Sequence, residues 1–238
     1  MSVALLPTLL LGTAFALQPP GAFHGDEPVA RHGEQWLALR RDGREAALVG
    51  ARLTVTPVFD AVLDSPGGAS GRAVASDAGD EQIIAFLRGP GLRSGRVLAA
   101  EVEEMVPAAE DAPAWHVRLG GHAYRIATGC RAAGAGRGAD SAANDAIQCE
   151  VMLHHADGRR QALARMGGYR DSASILRPGD DAAPALLFAG DLDRDGRLDL
   201  VFDTTDHYNV SRPTLFLSST ARDGELVGAA AQYQSVGC

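Results

Sequence analysis

This chain of 238 residues contains no lysine, and all 22 of its basic side chains are arginine. Codon usage in a GC-rich genome accounts for that bias, which no arginine chemistry requires. Aromatic residues make up only 5% of the sequence, and nowhere do they alternate with a basic run. The formal net charge is −8. A nucleic-acid partner is therefore excluded, because phosphate binding needs clustered positive charge. The same acidity favours a cationic partner through electrostatic steering.

Cysteine is scarce too. Cys130, Cys149 and Cys238 contain no CxxC pair among them, which argues against a zinc site. Three cysteines suit an exported protein with one disulfide and one leftover thiol. A bridge from Cys238 to either of the others would tie down the chain end. A Cys130–Cys149 bridge would instead staple the base of the segment between them.

Catalytic fingerprints are also missing. No GxSxG, HExxH, Walker or GxGxxG motif is present, so no catalytic constellation is legible and the chain does not read as an enzyme. His154 and His155 are adjacent, so on a strand they face opposite ways and cannot share a metal. Glu101, Glu103 and Glu104 read as solvated charge, as do Asp180 and Asp181.

No apolar run is long enough to span a bilayer, so an integral membrane protein is not expected. The first residues, "MSVALLPTLLLGTAFALQPPG", carry a short apolar stretch from Leu5 to Leu11. Ala14-Phe15-Ala16 then matches the small-x-small pattern of a secretory cleavage site, which predicts a signal peptide over 1–16. No cysteine follows that point, so a lipid anchor is not supported.

What is abundant is strand pattern. Apolar content of 46% beside 22% charged residues fits a globular protein with a sizeable core. No window holds an apolar period of 3.6 for twelve residues, so few short helices are expected. Short alternating runs turn at Asp42-Gly43, Gly120-Gly121 and Asp157-Gly158, which are hairpin signals. The fold class is therefore all-β: an antiparallel sheet protein, sandwich-like or a partial barrel. Two stretches, 63–81 and 131–146, read as loops of small and polar residues. An interruption at "VPAAEDAPA" divides the mature chain into an N-terminal β region (17–108) and a C-terminal β domain (109–238).

The densest signal lies in "FAGDLDRDGRLDLVFD". Asp191, Asp193, Asp195, Gly196 and Asp199 spell D-x-D-x-D-G-x-x-D. Alternate carboxylates can turn inward as the chain curls, and glycine permits the sharp turn. Hard oxygen ligands in a flexible loop suit Ca²⁺ better than Zn²⁺ or Mg²⁺. The expected ligands are Asp191, Asp193, Asp195 and Asp199, with the backbone carbonyl of Arg197. Helical EF-hand loops place a glutamate at loop position 12; here that position is Phe202, followed by Asp203. The flanks "ALLFAG" and "RLDLVFD" are strand-like. No open site or neighbouring nucleophile accompanies the loop, so a structural ion is expected.

That combination resembles the calcium β-hairpins of FG-GAP and VCBS-type families. More widely, "LLFAGDLDRDGRLDLVFDTTDHYNVSRPTLFLSS" resembles exported proteobacterial proteins with a single calcium loop. That group includes immunity proteins that neutralise lysozyme-like peptidoglycan hydrolases delivered by type IV secretion. The resemblance implies a periplasmic protein that blocks such a hydrolase by inserting a loop with a glycine-tyrosine pattern. On this chain the pattern matches Gly167, Gly168 and Tyr169, with Gly167 standing where the pattern has serine. Arg170 and Asp171 continue that stretch, and His207 and Tyr208 in "TTDHYNVSRP" form a second candidate contact. Tyrosine is a low-entropy anchor with an apolar body and a polar tip. The alternative is a calcium-stabilised surface adhesion or carbohydrate-binding module.

Overall fold

In a computed structural model, which describes residues 14–77, 79, 82–105, 113–132 and 147–237, the alternating pattern becomes β-strand almost throughout. The first seven strands are β1 (Ala16–Gln18), β2 (Gly21–Phe23), β3 (Gln35–Asp42), β4 (Glu45–Val58), β5 (Gly71–Ser76), β6 (Ile83–Arg88) and β7 (Gly95–Ala99). The next six are β8 (Glu101–Met105), β9 (Ala114–Leu119), β10 (His122–Ala132), β11 (Ile147–His155), β12 (Arg160–Arg170) and β13 (Leu176–Pro178). The chain closes with β14 (Ala185–Asp191), β15 (Asp199–Asp203), β16 (Val210–Ser211), β17 (Pro213–Leu217), β18 (Gly228–Gln232) and β19 (Ser235–Val236). Among the described residues the helical content is a single 3₁₀ turn at Ser218–Thr220.

Two sheets form. The larger follows the order β1-β6-β3-β4-β7-β14-β15-β17-β18, with β5 and β2 branching from the far half of β4. Its first strand, β1, packs against β17 and β18, so the sheet curls into a nearly closed barrel. The smaller sheet is a meander of consecutive antiparallel strands from β8 to β13. The chain thus builds half of the large sheet, lays down the meander, and returns to finish the first. The return is stitched by β7 and β14, which pair Gly190 with Ala99 and Asp191 with Leu98.

This topology does not divide at residue 108. Strand β8 belongs to the meander, and β14, β15, β17 and β18 complete the sheet that β1 to β7 began. The segment 63–81 is also more than a loop. It contains β5, whose small residues "GRAVAS" pair with both β2 and β4.

The core explains why the last strands read as unbroken apolar runs. Along β15, Leu200 and Phe202 point to the meander beside Trp115, Val151 and Leu153, while Val201 points into the barrel with Leu39, Leu48 and Phe188. A strand covered on both faces needs no polar face. Trp115 meets Phe202 edge to face, with centroids 5.5 Å apart, which fastens the meander to the barrel wall.

Cys130 and Cys149 sit opposite each other in the β10–β11 register and form a disulfide. The expected tie from Cys238 to either of them is therefore corrected, since each already has its partner. Cys238 itself lies outside the described residues. The pairing follows from the sheet: cross-strand neighbours bring their Cβ atoms close enough to bridge. A disulfide fits an oxidising, exported location. No helix among the described residues is long and apolar enough to cross a membrane. Most of the expected signal peptide (1–13) lies outside the described residues. Its expected cleavage point falls within β1, between Ala16 and the buried Leu17.

A polar clasp holds β2 in place. The Nδ1 of His24 is bonded to Asp60, whose other oxygen accepts from the N–H groups of Val62 and Leu63. Glu27 accepts from His24 N–H at 3.0 Å and from Val236 N–H at 2.8 Å, joining the two chain ends. The bond to Asp60 raises the pKa of His24, with Glu27 adding its charge, and the bond from His24 lowers that of Asp60. A raised histidine stabilises the fold below 6.5 and loses that contribution as pH rises through its folded value. A depressed carboxyl does so above 3.8 and loses it as pH falls. The stability difference between the native protein and His24→Gln should therefore peak between those values and shrink on both sides. Urea unfolding across a pH series measures it, and a flat difference would remove the ion pair.

Candidate functional site

The aspartate loop is the hairpin between β14 and β15. Arg194 at φ +65° and Gly196 at φ +82° turn the chain back. Asp191 then accepts the N–H groups of Asp195 and Gly196, one on each oxygen, at 3.0 Å. Asp195 accepts from Arg197 N–H, from the Arg197 guanidinium and from the Ser218 hydroxyl. One oxygen of Asp193 accepts the Ser219 hydroxyl.

The other oxygen of Asp193 is buried and has no protein partner. One carboxylate oxygen from each of Asp191, Asp193 and Asp195 lies within 4.8 Å of the others. At that separation two carboxylates repel by about 3 kcal/mol at an effective dielectric of 20, and less where Asp195 meets solvent. A buried acceptor without a donor adds its own desolvation cost. A cation among the three oxygens would offset both costs, and the triad could hold one.

The loop does not hang free. The guanidinium of Arg194 reaches back to the carbonyls of Arg93 and Arg96, each at 3.1 Å, and so anchors it to β7. Asp199, expected as a fourth ligand, stands apart from the triad. It is fully buried, and it accepts from Leu192 N–H at 2.7 Å, Ser218 N–H at 2.8 Å and the Ser218 hydroxyl at 3.1 Å. Burial, with help from the charge of Asp193, pushes its pKa up to about 7. Here Asp199 bolts the loop to the 3₁₀ turn. Arg197, expected to offer its carbonyl, directs its N–H and guanidinium at Asp195. Asp203 caps the next excursion by accepting from Thr205 N–H, Arg212 N–H and the Ser211 hydroxyl.

The tyrosine candidates need a correction. Gly168 and Tyr169, which the resemblance matches to an inserted loop, lie within β12, where Gly168 pairs with Ile147 and Pro178 and Tyr169 with Arg177. A Cβ on Gly168 would come within 2.6 Å of the Arg177 carbonyl and the Cys149 sulfur. This glycine serves close strand packing rather than a turn. Tyr169 is half-buried, and its hydroxyl donates to Asp181. Arg170 and Asp171 lead into the β12–β13 turn, where Asp171 holds Arg177 at 2.9 Å and Arg170 donates to the Ser174 carbonyl. Tyr169, Asp171, Arg177 and Asp181 line a hollow of about 480 Å³ with Pro113 and Pro184.

Tyr208, by contrast, is 70% exposed. Its ring stacks on His207 with centroids 4.5 Å apart. His207 accepts Asn209 N–H on Nδ1 and faces Asp180 through Nε2 at 3.2 Å. The turn 179–182 thus links the two tyrosine stretches, with Asp181 on Tyr169 and Asp180 on His207. Gly179 makes that link possible. It has φ +56°, and a Cβ there would lie 2.1 Å from the Asp206 carbonyl.

Asp180 and Asp181, read from sequence as idle charge, are the connectors. Ser218 and Ser219, whose hydroxyls reach Asp193, Asp195 and Asp199, were also missed. The only sequence signal for them is "SST" closing an apolar strand that follows the calcium-type loop. No family model, curated protein or solved structure matches this chain.

Proposed function

We propose that this is an exported, calcium-binding immunity protein that binds and inhibits a lysozyme-like peptidoglycan hydrolase in the periplasm. The observation that carries the reading is the aspartate triad with its orphaned Asp193 oxygen. It gives the D-x-D-x-D-G loop, which is the core of the family resemblance, a cation-shaped purpose. Three hard oxygens and a turn through glycine select Ca²⁺ over thiophilic metals, with backbone and water completing the shell. The disulfide supports export, and the net charge of −8 suits a basic hydrolase.

Tyr169 with Arg170, Asp171 and the linked His207–Tyr208 stretch forms the contact face. The turn 179–182 fixes both halves, so little side-chain freedom is lost on binding. The ion acts from behind, by holding the hairpin that stiffens the sheet.

The test is a lysis assay with a lysozyme-like hydrolase encoded beside the protein. Tyr169→Glu should raise the half-inhibitory concentration at least tenfold, about 1.4 kcal/mol of an anchor side chain. Its melting temperature should fall somewhat, because the bond to Asp181 is lost and two carboxylates then meet, so inhibition is compared at a temperature where both proteins are folded. Failure of the native protein to slow lysis would overturn the reading.

A further inference from the structure

A second concavity lies away from the aspartate loop. It is a groove of about 570 Å³ between the β4–β5 connection, the stretch 208–211 and the C-terminal strand β19. Phe59 rises on one wall and Tyr208 on the other, 56% and 70% exposed. Val62 and Val236 extend the apolar lining. The polar lining consists of His24, Glu27, Asp60, Asn209, Ser211 and Ser235, with no arginine.

Both aromatic walls are rigidly mounted. Phe59 precedes a turn in which Asp60 and Asp64 bond each other's backbone N–H groups, and Asp64 also accepts Ser70 N–H. The side chain of Asp60 is 3% exposed and bonded to His24. Tyr208 is stacked on His207, and its N–H donates to the Asp180 carbonyl at 2.8 Å. Gly237 N–H ties the far rim to the Asn209 carbonyl at 2.8 Å. Exposed aromatics on fixed supports are what binding sites use, since little entropy remains to be lost.

The lining defines the ligand. Without arginine, and with the Glu27 carboxylate beside a mutually neutralising His24–Asp60 pair, the groove disfavours phosphates, sulfates and other anions. Carboxylate, amide and hydroxyl groups between two aromatic faces suit a ligand with many hydroxyl donors and flat apolar ring faces. We propose that this groove binds a neutral oligosaccharide, with sugar rings packed on Tyr208 and Phe59. The site gives the carbohydrate-binding alternative a physical location, at residues such as Phe59 that the sequence did not single out. It does not depend on hydrolase inhibition.

The experiment is amide NMR titration of the intact calcium-loaded protein. The probes are cellohexaose and an N-acetylglucosamine hexamer, with hexa-arginine and a sulfated hexasaccharide as charged controls. A neutral hexasaccharide should shift amides of 58–63, 208–211 and 235–237, and the sulfated one should not. Phe59→Ala and Tyr208→Ala should each weaken binding about 3- to 10-fold, the contribution of one stacked aromatic. Their melting temperatures should not change, because both side chains are exposed. Three results would each overturn the proposal. One is no shift at about 10 mM sugar, past the weak end of useful affinity. Another is binding that ignores both substitutions, and the third is hexa-arginine binding in preference to the sugars. Sugars alone are the probes, so failure here leaves hydrolase inhibition untouched, and the reverse also holds.

Discussion

Calcium should raise the melting temperature by about 5–11 °C over the protein in EDTA. At free calcium a hundredfold above its dissociation constant, binding stabilises the folded state by about 2.7 kcal/mol. A chain of this size gains roughly 2–4 °C per kcal/mol. The diagnostic variant is Asp193→Asn, which keeps the shape but removes the charge bearing the orphaned oxygen. In calcium it should melt well below the native protein. In EDTA the order should invert or vanish, because the substitution relieves repulsion among three carboxylates within 4.8 Å. Magnesium should not replace calcium, since it demands tighter octahedral geometry and gives up water reluctantly. An identical melting curve in calcium and EDTA would remove the metal assignment.

Such a gain would be felt beyond the hairpin. Arg194 ties the loop to carbonyls on the far side of the meander insertion, about a hundred residues earlier in the chain. Asp199, Asp195 and Asp193 tie it to Ser218 and Ser219. An ion bound among the aspartates would therefore lock the β7–β14 seam to the end of β17, the place where the returning chain closes the larger sheet. Scaffold and seam are one device.

Residue spacing made part of this legible. Period-2 alternation and glycine turns gave the all-β class, because each hairpin pairs strands that are neighbours along the chain. The D-x-D-x-D-G spacing located the triad for the same reason. Non-local placement was hidden. Nothing in "GRAVAS" announces a strand, since β5 is held by pairing with β2 and β4 rather than by its own propensity. Gly168 reads like a turn residue but exists for the approach of β13 and the disulfide. Asp199 counts as a ligand by spacing, yet Ser218, nineteen residues on, claims it. The Cys130–Cys149 bridge likewise depends on a register that only the assembled sheet sets.

Phe202→Glu is the sharpest way to separate a β-clip from a helical calcium loop. On sequence alone the substitution supplies the glutamate missing at loop position 12 and should tighten calcium binding. The structure demands the opposite. Phe202 is fully buried, on the meander face of β15, edge-on to Trp115 and packed with the cluster that joins the two sheets. Asp203, not Phe202, pairs with Ala185 at the strand end, so position 12 points into the core and away from the aspartates. Truncating such a phenylalanine costs about 3–5 kcal/mol. Glutamate adds the desolvation of a carboxyl with no partner in that cluster, which brings the total to roughly the whole stability of an ordinary domain. Phe202→Glu should therefore be insoluble or unfolded with or without calcium, while Phe202→Leu folds, melts lower and keeps the full calcium-dependent gain. A folded Phe202→Glu with tighter calcium binding would mean that the loop closes as a helical EF-hand does, and that the strand pairing of Leu200 to Asp203 with Pro213 to Phe216 yields to it.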